Sequence, residues 1–106
     1  MIHDQIRSML AAPPAGAKAP SLDEIEDALT AGYANALAIE AERLRIERKM
    51  AEVAASLDAA ASQDPRTAEL ATLGQRLSAA DGDLAQLRAL LSSLRTRADE
   101  ARTTVA

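Results

Sequence analysis

The side chains most able to do chemistry in this 106-residue chain are few, and their spacing argues against a catalytic centre. His3 is the only histidine, and there is no cysteine. A zinc-type site needs three or four converging ligands, and His3 has no second nitrogen or thiolate near it. With histidine only at position 3, no Ser/His/Asp arrangement can be assembled. Asp23, Glu24, Glu26 and Asp27 form an acidic cluster without the loop ligands of a calcium site. Their charges suit the positive end of a helix instead. Glycines 16, 32, 74 and 82 never cluster into a phosphate cradle. The reading is a non-enzymatic chain with no catalytic residue, no cofactor and no metal.

Three arginines remain as candidates for binding. Arg43 falls in an apolar helix seam, where a long cationic side chain fixes register or reaches out to Glu40, Glu47 or Asp83. Arg95 and Arg97 belong to a basic stretch near the chain end with Arg88 and Arg102. They suit the negative end of a helix, and Arg95 and Arg97 are also candidate contacts for an anion.

The elements that must position these residues are legible in the spacing. Ile2, Ile6, Met9 and Leu10 share one face of a short helical arm over residues 1–12. Such a helix is marginal alone, because it does not repay its nucleation, so these four residues are the candidate docking surface of the arm. Residues 13–20 carry three prolines and a glycine and read as a semi-rigid linker. Ser21, followed three residues later by Glu24, opens a capping box. From there a helix is expected over about residues 22–61. Asp64-Pro65 is an N-cap acid before a proline suited to the first helical position, and a second helix is expected over about residues 65–103.

Both long segments carry a heptad repeat. On the first, the a and d positions run through Leu22, Ile25, Leu29, Gly32, Ala36, Ile39, Arg43, Ile46, Met50, Val53, Leu57 and Ala60. On the second they run from Leu70 and Leu73 through Leu84, Leu87, Leu91 and Leu94 to Val105, with no polar residue. A period of 3.5 held this long is a coiled-coil seam. Folding the two segments back on each other with the turn centred on Pro65 sets Ala60 against Leu70, Val53 against Leu77 and Ile46 against Leu84. It also sets Arg43 against Leu87, Gly32 against Ala98 and Ile25 against Val105. The same register places Glu26 near Arg102, Glu40 near Arg88 and Lys49 near Asp83, with Glu47 and Asp81 in repulsion. The fold class is therefore read as all-α: an antiparallel coiled-coil helical hairpin over residues 21–106 with a short N-terminal arm, the alternative being an extended parallel dimer with a kink at Pro65.

A lone hairpin with so many alanines buries little surface against the entropy of ordering it. Tyr33, Leu37 and Leu44 form a second apolar stripe on the flank of the first helix, and Leu90 lies off the seam of the second. The economical use of that stripe is pairing into a homodimeric four-helix bundle. Its rival is contact with a different protein. At the thin end of the hairpin, Gly32 allows either close helix approach or docking of the arm.

Composition narrows the function classes further. The chain has 26 alanines, one aromatic residue and a net charge of −4. That excludes an aromatic-rich sheet core and argues against nucleic-acid coating, which depends on phosphate neutralisation. There is no run apolar enough for a bilayer span and no signal-peptide pattern, so a cytoplasmic location is expected. Ten of the twelve basic residues are arginine, which together with the alanine excess points to a GC-rich bacterial or phage genome. In outline the chain is similar to secreted Trp-x-Gly hairpins and to hairpin anti-sigma factors that bind cyclic dinucleotides. Its turn, Ser62-Gln63-Asp64-Pro65-Arg66, has no tryptophan, and no residue is carried over from either group. The expected function is a protein-interaction or assembly module: an adaptor, scaffold or chaperone-like hairpin. The alternative is a regulatory protein that sequesters a transcription factor or other client, with an anionic effector held by arginines.

Overall fold

A computed structural model describes residues 1–57 and 64–105. Among these residues the structure is all-helical, with α1 over Ile2–Ala11, α2 over Leu22–Ser56 and α3 over Pro65–Val105. α1 ends where Ala12, extended at ψ 156°, meets Pro13. A residue before proline is driven out of the helical region by the proline ring. α2 opens on Ser21, whose hydroxyl accepts the Glu24 N–H at 3.1 Å. α3 opens as expected: Pro65 is its first residue, and Asp64 Oδ1 accepts the Arg66 N–H at 2.9 Å.

The chain divides into two compact units, and both long helices contribute to each. The first comprises Met1–Leu37 with Ala85–Ala106; the second is Ala38–Leu84. In the second unit, α2 and α3 pack through Ile46, Val53 and Leu73, with Met50, Leu70 and Leu77 against them. In the first, the buried residues include Ile25, Leu29 and Ala36 of α2 and Leu87, Leu91, Leu94 and Ala98 of α3. All of these lie on the expected seam. Ala28 does not, yet it is also buried. This unit has a third helix: Ile6 of α1 is completely buried, and its Cδ1 stands beside the position a Gly32 side chain would take.

Three details differ from the sequence reading. α2 ends at Ser56 and not at residue 61; the chain from 58 to 63, with the middle of the expected turn, lies outside the described residues. Pairings that involve Ala60 or Val105 fall outside the described side chains. In the first unit the pairing at Gly32 also differs by seven residues from the expected register. The position of a Gly32 side chain there meets Leu91, seven residues from the expected Ala98; in the second unit, Arg43 pairs with Asp81. Pro65, the expected centre of the turn, is the first residue of α3. A slip of seven residues keeps a and d positions facing a and d positions, so the heptads alone could not choose between the two registers.

Candidate functional site

In the first unit, Tyr33 and Leu37 lie four residues apart on α2 and therefore on one helix face. They are 43% and 66% exposed. Leu90, the other candidate in this unit, is half-buried. Tyr33 lines a concavity with Leu29, Arg95, Asp99 and Arg102. Arg102 is engaged there, donating to Glu26 at 2.9 Å, as expected, and to Asp99 at 2.8 Å. The hydrogen bond to Glu26, followed by the charges of both carboxylates, raises the pKa of its guanidinium. Arginine side chains span more than one helical turn, so the Glu26–Arg102 pair forms in spite of the shifted register. Arg95 is exposed on the same concavity and has no hydrogen bond or ion pair among the described residues.

The two neighbouring arginines have separate roles. Arg97 donates to the main-chain carbonyls of Leu10, at 3.0 Å, and Ala12. These oxygens are at the C-terminal end of α1, where the helix leaves its last carbonyls without internal partners and carries partial negative charge. Arg97 therefore anchors the arm, with two of its five N–H donors engaged. Of the four apolar arm residues, Ile6 is buried, while Ile2, Met9 and Leu10 are half-buried.

The second unit holds the remaining candidates. Arg43 is half-buried; it pairs through Nε with Asp81 and through Nη2 with Glu47 at 3.6 Å. Its Nε is fully buried but lacks an aligned hydrogen bond. Glu47 was among the expected partners. Asp81 was expected to repel Glu47, yet Arg43 stands between the two acids and pairs with both. Leu44 is 46% exposed in this unit.

Two groups escaped the sequence reading. Glu42 accepts from Arg45 at 2.9 and 3.1 Å and from Arg76 at 2.8 Å. These bonds, that from Arg45 foremost, hold its carboxyl below the ordinary value of 4.5. Arg66 forks onto Asp64 at the head of α3 and also donates to the Ser56 carbonyl at the end of α2. The i,i+3 spacing of Glu42 and Arg45 was a visible signal for the first group; the i,i+2 spacing of Asp64 and Arg66 signalled part of the second, but nothing local announced the bond to Ser56.

Among the described residues there is no cluster of metal-ligating side chains. No helix among them is long and apolar enough to cross a membrane. Neither a protein-family model nor a curated protein nor a solved structure matches the chain.

Proposed function

We propose that this chain is a non-enzymatic protein-interaction or assembly module, and that the Tyr33–Leu37 face of α2 is its contact surface in the first unit. The observation carrying this reading is the exposure of both side chains while α1 covers a different part of the same unit. A buried leucine is worth roughly 1.5–3 kcal/mol relative to an exposed one, so leaving Leu37 in water forfeits much of that. A second copy is the first occupant of the face, and two hairpins then pair as a homodimeric four-helix bundle, with each arm held on its own chain. Light scattering on the purified protein tests this. The wild type should be a dimer and Leu37→Asp a monomer of unchanged helicity; a monomeric wild type sinks the homodimer and leaves another protein as the occupant.

A second reading is favoured by Arg95 alone. An exposed, unpaired guanidinium beside Tyr33 suits an anionic effector in a regulatory, client-binding protein. Arg97 already gives two of its donors to the arm, so Arg95 is the freer cation of the pair. Thermal stabilisation by an anionic nucleotide, lost in Arg95→Ala, supports this reading; a flat response across a nucleotide panel removes it.

A further inference from the structure

We propose that α1 is an exchangeable arm: the groove it fills on its own chain also accepts α1 of a second copy, and the turn at Gly16 decides which chain it serves. The docking contacts are compact and specific. Ile6 is buried beside Gly32, and Arg97 holds the carbonyls of Leu10 and Ala12. α1 is ten residues long with no side-chain N-cap, so it depends on the groove for its structure. Any copy of α1 offers the same isoleucine and the same carbonyls, so the contacts are identical within one chain and between two. Those contacts therefore cancel, and only the linker separates the two arrangements.

The linker favours closure by one device. Between the extended Ala12 and the start of α2, Gly16 has φ +99°, the only positive φ among the described residues, and its carbonyl accepts the Ala19 N–H at 3.2 Å. A φ of this sign is readily available to glycine and strained for a β-branched residue. The wild-type turn brings α1 back onto its own chain at the high effective concentration of a short tether. A linker unable to make that turn holds α1 away from its own groove and leaves it to the groove of a second copy.

The test uses the full chain carrying Leu37→Asp, so that association through the α2 face is removed and the two ideas fail separately. Into this parent go either Gly16→Val or deletion of residues 15–19, and mass is followed by light scattering across a concentration series with helicity by circular dichroism. The deletion should double the mass of the parent, and Gly16→Val should produce a dimer fraction that rises with concentration. Adding Ile6→Asp should return both to the parent mass. An unchanged mass in the deletion variant, with or without loss of α1 helicity, overturns the proposal. So does a doubling that survives Ile6→Asp.

Discussion

The guanidinium of Arg97 donates to the main-chain carbonyl of Leu10 at 3.0 Å, tying α3 to the C-terminal end of α1 across 87 positions of sequence. With Ile6 buried at the other contact point, this makes the arm a third helix of the first unit. The hairpin is thin there because its seam holds Gly32, Ala36 and Ala98. α1 supplies apolar cover that the two long helices lack.

Arg97→Ala should therefore loosen the arm before it affects anything else. Hydrogen bonds to a charged donor contribute about 1.5–3 kcal/mol, and their loss is expected to speed amide exchange in α1 while exchange in the second unit stays unchanged. Ile6→Ala should do the same, with a cost limited by the free energy of docking the arm, since α1 can detach without unfolding the rest. If exchange in α1 is already fast in the wild type, the anchoring role is wrong.

Gly32 and Gly74 should respond to alanine with opposite signs. Both lie inside helices, where alanine is favoured over glycine by about 0.5–1 kcal/mol. At Gly74 nothing stands within 4 Å of the added carbon, so Gly74→Ala should raise the melting temperature. At Gly32 the new carbon would run into Leu91 Cδ2 and sit 3.4 Å from Ile6 Cδ1. Overpacking of this kind costs about 1–3 kcal/mol, so Gly32→Ala should lower it. Urea unfolding of both variants provides the comparison.

Arg43 occupies a seam position with a buried Nε that lacks an aligned hydrogen bond. Asp81 and Glu47 are each about half exposed and lose little if their partner is removed. Arg43→Met should keep the aliphatic packing and remove the buried polar atom, giving a stability equal to or about 1–2 kcal/mol above wild type. A clear loss of stability without a change in helicity would show that the ion pairs matter more than the packing.

Glu42 makes stability depend on pH with a defined sign. Its carboxyl lies below the ordinary 4.5 in the folded chain, chiefly through the Arg45 hydrogen bond. The unfolded chain therefore takes up a proton first as pH falls. The contribution is fully present above the ordinary glutamate value and disappears as pH drops through the lowered one. Glu42→Gln should melt below wild type at neutral pH, and the gap should close in acid. A constant gap would mean that the Arg45 and Arg76 contacts act without charge.

Much of the fold was already written in local patterns. Ser21 and Asp64-Pro65 marked the starts of α2 and α3, because capping is settled by a few neighbouring atoms. The apolar heptads identified the buried face of α3, where Leu73, Leu84, Leu87, Leu91, Leu94 and Ala98 are all seam positions. Exposure of Tyr33, Leu37 and Leu44 likewise followed from their place outside the seam.

Register and arm were a different matter. A repeat of seven is unchanged by a slip of seven, so the sequence determined which faces meet but not which residues meet. Only the folded chain put Leu91 over Gly32 and Arg43 beside Asp81. Arg97 read as a residue suited to the helix end or to an anion, because a bond to a carbonyl 87 positions away leaves no trace in spacing. Helix identity and the faces that pack came from short-range periodicity. Register, the seat of α1 and the partner of each arginine came from long-range packing, in which several arrangements satisfy the same local pattern and tertiary geometry selects one.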